Sequence, residues 1–159
     1  MNDDLALDQQ LCFALYAASR ATTAVYRPLL DELGVTYPQY LVLLVLWERD
    51  GRGVREIGAE LDLDTGTLSP LLRRLEALGF VERRRQRDDE RRVDVHLTDA
   101  GRALRADAEK IPRCIASATG LDRESAAALR DRLVELTAAL HAHGAHAVSP
   151  IDREETERS

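Results

Sequence analysis

The chain has 159 residues and a formal net charge of −6; 45% of it is hydrophobic and 31% charged. That balance suits one globular domain with its own core, and it excludes a wholly disordered chain. It also lacks a run of ~20 apolar residues for a membrane span, enough cysteines for a disulfide scaffold and a basic n-region in MNDDLALDQQ for a secretory signal.

Residues 5–33 are predicted helical, because Leu11, Leu15, Thr22, Val25 and Leu29 recur at three- and four-residue steps. Asp8 is the expected N-cap. Pro28 should kink or interrupt the last turns, and Gly34 is a stop. Thr36 then caps a second helix with Pro38 in its first turn. The run Leu41–Trp47 is apolar nearly all round, so this helix is expected at the centre of the core. Asp50-Gly51-Arg52-Gly53 reads as a turn. Two short helices follow, Val54–Leu61 and a second that starts at an Asp64 or Thr65 cap and runs through Leu68, Leu71, Leu72 and Leu75 to Gly79. Joined by the tight Leu61-Asp62-Leu63-Asp64, they form a helix-turn-helix.

After Gly79 the period changes to two. Phe80–Arg83 and Val93–Leu97 read as strands, with the charged segment Arg84–Arg92 between them, so the pair is a β-hairpin with a charged tip. Thr98-Asp99-Ala100-Gly101 opens a helix running toward Cys114, with Pro112 disturbing it. Asp122 caps the last helix, where Leu129, Leu133, Leu136 and Leu140 form a stripe of the kind that packs on another helix. Gly144 is expected to end it, and residues 149–159 form a polar tail expected to be disordered.

A winged helix-turn-helix presents its second helix to the major groove of DNA. Here that helix offers Thr65, Gly66, Thr67, Ser69, Arg73 and Arg74. Small residues at a helix start allow close approach, and exposed N–H groups favour phosphate. A well-capped helix of an ordinary globular fold would look the same; the charged hairpin directly behind it is what favours DNA. From Arg73 to Arg92 there are eight arginines against five acids, a local net of +3 that leaves −9 for the rest. Phosphate binding follows the local field and not the total. Only Lys110 among the 22 basic residues is lysine. Arginine suits phosphates and guanine edges, although a skewed genomic base composition produces the same bias.

The hairpin, Asp89-Glu90-Arg91 followed by Val93-Asp94-Val95-His96-Leu97-Thr98-Asp99-Ala100-Gly101, resembles the D-x-R, alternating strand and L-T-x-x-G pattern of the MarR family of bacterial transcription regulators, over residues ~5–143. The resemblance implies that Arg91 enters the minor groove, that Asp89 orients it, and that the protein is an obligate dimer built by the first helix and the last two. Three N-terminal blocks, Leu11–Arg20, Tyr26-Arg27-Pro28-Leu29-Leu30 and Thr36-Tyr37-Pro38-Gln39-Tyr40-Leu41, resemble its organic hydroperoxide sensor branch, OhrR. Leu63–Leu68 resembles that branch as well.

The residues around Cys12 can be read without the family. With Asp8 as N-cap, Cys12 lies in the first turns, where the positive helix end favours a thiolate. On spacing alone the favoured reading is a small buried hydrophobe; the tyrosines and the family blocks turn it toward a reactive thiol. Tyr16 is its i+4 neighbour on the same face. Tyr26 is fourteen residues on, roughly 21 Å along a straight helix, so it cannot touch Cys12 of its own chain unless the helix folds back, whereas in a dimer with crossed first helices it could reach the partner's cysteine. The resemblance implies that Tyr26 and Tyr37 hydrogen-bond the sulfur from the other subunit; Tyr40 is assigned to the core. Cys114 is either a resolving cysteine or a bystander. His141-x-His143-x-x-His146 does not share one helical face, so no metal is expected, and no cofactor motif is present.

The expected fold is mainly α with a small β-hairpin wing. Residues 1–148 form one chain of this type: 36–98 are the winged helix-turn-helix, and 5–33 and 99–144 are dimerisation helices. The expected function is a cytoplasmic, non-enzymatic homodimeric repressor on an inverted repeat of double-stranded DNA, released when an organic hydroperoxide oxidises Cys12. Two rivals are a regulator answering a small aromatic ligand and a thiol-dependent peroxidase, which needs turnover with a reductant.

Overall fold

In the computed structural model a 3-10 turn at Leu7–Gln9 leads into α1, Leu11–Asp31. The structure describes residues 5–85 and 92–147, with side chains to residue 144. Gln10, in extended conformation, is the N-cap of α1. Asp8 is not the cap: it sits inside the 3-10 turn, two residues too early. Pro28 does not interrupt α1 either. It removes one backbone donor, while the helix continues to Asp31, and the chain turns away at Gly34, whose φ of 70° is open to glycine.

The second helix, α2 (Tyr37–Glu48), starts where Gln39 Oε1 accepts the backbone N–H of Thr36 at 2.8 Å. Tyr40, Val42, Leu43, Val45 and Leu46 are all buried, so α2 is the central helix that its apolar run predicts. Around it pack α3 (Val54–Leu61) and α4 (Thr65–Ala77), which contribute Ile57, Leu68, Leu72 and Leu75. Their tight connection turns at Asp62, with φ 55°. A side chain at Gly58 would meet the Leu63 carbonyl oxygen at 2.7 Å, so the crossing needs a glycine there.

Three antiparallel strands form the sheet, in the order β1-β3-β2: β1 is Arg52–Gly53, β2 Val81–Arg85 and β3 Val93–Leu97. Val81 pairs with Leu97 and Arg85 with Val93, the register of a hairpin, while Arg52 pairs with Val95. β1 lies where the sequence reads as a turn. Two residues are too few to show alternation, and the strand exists because β3 offers it an edge. Asp50 secures the junction: Oδ1 accepts from the N–H groups of Gly51 (2.9 Å) and Leu97 (2.7 Å), and Oδ2 from Arg102 (2.8 Å).

Thr98 caps α5 (Asp99–Ala108), accepting from the Gly101 N–H at 3.1 Å and donating to the Gly79 carbonyl at 2.6 Å. α5 stops at Ala108, and a new helix, α6 (Ile111–Thr119), begins with Pro112 at its second position. Pro112 therefore starts a helix instead of disturbing one, because the first turn has no use for its missing N–H.

Among the described residues, those from 119 to 147 form a second compact unit. It consists of α7 (Arg123–Ala147), capped by Asp122, whose Oδ1 accepts the Ser125 N–H at 2.7 Å. The helix runs through Gly144, which keeps a right-handed φ, so the expected stop there is absent. Leu129, Leu133 and Leu140 are 50%, 38% and 60% exposed, and the first two line a groove of about 620 Å³.

Candidate functional site

α4 divides cleanly into two faces. Leu68, Leu72 and Leu75 point into the core, while Thr65, Gly66, Thr67, Arg73 and Arg74 are exposed and Ser69 is half-buried. The helical period alone sorts them: an apolar stripe at i, i+4, i+7 leaves the hydroxyls and arginines outside. Asp64 holds the start of this face. Its carboxylate accepts the Thr67 backbone N–H at 2.8 Å and the Thr67 hydroxyl at 3.0 Å, bonds that keep it below the usual carboxylate range. The Ser69 hydroxyl donates to the Thr65 carbonyl at 2.7 Å and keeps its lone pairs for an incoming donor.

The far end of α4 is tied to the hairpin. The Glu76 carboxylate accepts from the Arg83 side chain at 2.7 and 3.0 Å and from its backbone N–H at 3.2 Å, which lowers the Glu76 pKa. Helix and hairpin are thus held in one orientation. Asp89 and Arg91 lie outside the described residues. A cleft of about 800 Å³ separates the helix from the hairpin, lined by Gly53, Arg55, Thr65, Ser69, Arg92 and Asp94. Sequence reasoning missed Arg52, which looks like a solvated turn residue. Its side chain is only 8% exposed, bonded to Glu60 at 2.8 Å with Glu48 at 3.8 Å, so it clamps β1 onto α2 and α3. Its Nε is buried with no hydrogen-bond partner among the described residues.

Cys12 is the second residue of α1 and its thiol is exposed and free. The correction of the cap from Asp8 to Gln10 brings Cys12 closer to the helix start, among the N–H groups that have no intrahelical acceptor. Tyr16, one turn later, is exposed; its hydroxyl accepts from Arg20 at 3.2 Å, and the same guanidinium lies 5.5 Å from its ring centre.

Tyr26 and Tyr37 come together, with ring centres 4.7 Å apart. Tyr40 lies 6.0 Å from Tyr26, and Trp47 6.2 Å from Tyr40. Tyr40 is a core residue, 2% exposed. Tyr26 and Tyr37 are half-buried, each with one side open. Burial, with a smaller contribution from the neighbouring phenols, pushes the Tyr26 pKa up to about 12. Its hydroxyl therefore keeps its proton and remains a donor. Since α1 is continuous, Tyr26 lies roughly 21 Å along the helix from Cys12 of the same chain. One chain assembles the tyrosine pair but not the pair with the thiol.

Cys114 is exposed and free on α6. Its backbone N–H donates to the Lys110 carbonyl at 3.2 Å, and the Lys110 ammonium pairs with Glu32, which raises the lysine pKa. His141 and His143 lie on α7, and no three His, Cys, Asp or Glu side chains gather among the described residues. Among those residues, too, no helix is long and apolar enough to cross a membrane.

The family model of the SarA/Rot transcriptional regulators matches residues 24–107. The chain is 51% identical over 141 residues to the HTH-type transcriptional regulator TtmR of Methylorubrum extorquens, covering 89% of this chain and 72% of that one. It is 45% identical over 139 residues to the organic hydroperoxide resistance transcriptional regulator of Bacillus subtilis, covering 87% and 95%. Among solved structures, reduced AbfR of Staphylococcus epidermidis bound to DNA superposes with a TM-score of 0.72 at 37% identity, over 84% of this chain and 93% of that one.

Proposed function

This chain belongs to the winged-helix transcriptional regulators of the SarA/Rot and MarR type, and from that membership we propose that it is a peroxide-sensing repressor whose switch is Cys12. The reduced protein binds double-stranded DNA as a homodimer on an inverted repeat. Each copy lays the exposed face of α4 in a major groove, with half-sites roughly 34–36 Å apart. The hydroxyls of Thr65, Thr67 and Ser69 and the guanidinium groups of Arg73 and Arg74 meet base edges and phosphates. Arg91, oriented by Asp89, takes the minor groove.

In the sensing step the Cys12 thiolate attacks one oxygen of an organic hydroperoxide. An S–O bond forms and the O–O bond breaks. The sulfur is oxidised to a sulfenate, the departing alkoxide takes the hydroperoxide's own proton and leaves as the alcohol, and a proton from water gives the sulfenic acid. Tyr26 and Tyr37 of the other copy donate hydrogen bonds to the sulfur. The thiol of the partner subunit's Cys114 then attacks the sulfenic sulfur, expelling water and forming a disulfide across the dimer. That bond moves the dimer helices, the two α4 helices lose their groove spacing, and DNA is released. The chain acts in the cytoplasm and uses no cofactor.

The observation that carries this reading is the exposed Cys12 thiol in the first turn of α1, on a chain 45% identical to an organic hydroperoxide resistance regulator. A stoichiometric titration with cumene hydroperoxide tests it. One equivalent per chain should be consumed, with DNA occupancy falling in step. Continuous consumption in the presence of a thiol reductant, without change in DNA occupancy, would instead make the chain a peroxidase.

A further inference from the structure

The cleft between α4 and the hairpin is lined by two arginines, Arg55 in the first turn of α3 and Arg92 just before β3. Both are exposed, and neither has a carboxylate partner among the described residues. Two acids share the cleft but are occupied. Glu56 accepts from Arg49 at 2.8 Å and from the Gly53 N–H at 2.8 Å, while Asp94 lies against Gly53 and has its own contact. The floor is low because Gly53 has no side chain; a Cβ there would come within 3.2 Å of Glu56 Oε2. Thr65 and Ser69 complete the wall from α4.

A duplex read by a helix in the major groove and by a wing in the adjacent minor groove has one sugar-phosphate strand between the two. That strand must cross the gap between helix and wing. We infer that Arg55 and Arg92 are a phosphate clamp for this crossing strand, gripping its backbone from the two sides of the cleft. The inference rests on the DNA-binding reading above and adds residues from α3 and the base of the hairpin to it. Their role is to fix register and not to read sequence, since a phosphate carries no base information.

The test uses the full chain and two duplexes of equal length, one enriched by the wild-type protein from a random-sequence library and one scrambled. Affinity is measured across a salt series for Arg55→Gln, Arg92→Gln, the double variant and Arg55→Lys. Each single Gln variant should weaken both duplexes alike, by about fivefold, and should lower the slope of log K against log salt by about one. The double variant should lower the slope by about two, and Arg55→Lys should retain it. Thermal unfolding should be unchanged, since neither side chain has a carboxylate partner to lose among the described residues. Wild-type affinity and slope in the Gln variants, or a loss confined to the enriched duplex, would overturn the clamp. Failure of the wild-type chain to enrich any duplex would overturn the DNA-binding reading itself, and is recognisable because it precedes any variant.

Discussion

Tyr26 illustrates how burial selects a chemical role. A phenol whose pKa is pushed up to about 12 donates a hydrogen bond at every working pH, which is what a sulfur anion or a sulfenic acid needs from a partner. Tyr26→Phe deletes that donor and keeps the ring against Tyr37 and Tyr40, so packing and DNA affinity should change little. Oxidation of Cys12 by an organic hydroperoxide should slow by about tenfold, the effect of about 1.4 kcal/mol in the barrier. Tyr40→Phe, inside the core, should leave the rate alone. Stopped-flow rates at one pH check both; a wild-type rate in Tyr26→Phe removes Tyr26 from the mechanism. Gly101 is a residue of the opposite kind, required by space alone. A Cβ there would overlap the Phe80 carbonyl oxygen and press on Leu97 at 3.2 Å. Gly101→Ala should therefore destabilise the chain by about 3 kcal/mol, the upper range for overpacking, read as a lower urea midpoint at constant m. A shift of only a few tenths would show that α5 can slide away from β2.

At the scale of elements, the legible parts were those with strong periods and strong caps. The apolar run of α2, the two faces of α4 and the alternation of β3 all follow from residue type and spacing, and the structure has them where the pattern puts them. The exceptions have physical causes. The N-cap moved from Asp8 to Gln10 because a 3-10 turn intervenes, and such a turn has no distinct sequence period. Pro28 and Gly144 were tolerated inside helices, since each costs a helix only a limited amount when packing or length sustains it. β1 depends on the edge of β3, more than 40 residues on in the chain, to which the carboxylate of Asp50 is bonded through the Leu97 N–H. Of the candidate site, the residue types on α4 and the thiol near a helix start could be read in advance. The tyrosine pair could be named but not its 4.7 Å contact, which depends on how α1 packs on α2. Arg52 gave no signal, because burial of an arginine is decided by its acidic neighbours in space. The junction at Trp47 was equally hidden: its indole N–H donates to the Gly101 carbonyl at 2.8 Å, joining α2 to the start of α5.

At the scale of the whole molecule, the leucines of α7 bear on assembly. Leu129, Leu133 and Leu140 expose apolar surface along one helix, a cost that a second copy would remove. Leu133→Asp should give a folded monomer, or one with a dimer dissociation constant raised by about a hundredfold, because it places a charge in an apolar seam. Sedimentation and circular dichroism check this together; a folded dimer with unchanged affinity would place the seam elsewhere. On the inverted repeat proposed above, DNA affinity should fall with it, since such an operator engages two reading heads. The central claim is that a single sulfur couples peroxide to DNA release. Its most direct test is a DNA-binding titration with and without cumene hydroperoxide, on the wild-type chain and Cys12→Ser. The account predicts that both reduced proteins bind alike, that peroxide abolishes wild-type binding, and that Cys12→Ser stays bound. Peroxide-driven release in Cys12→Ser equal to that of wild type would contradict it.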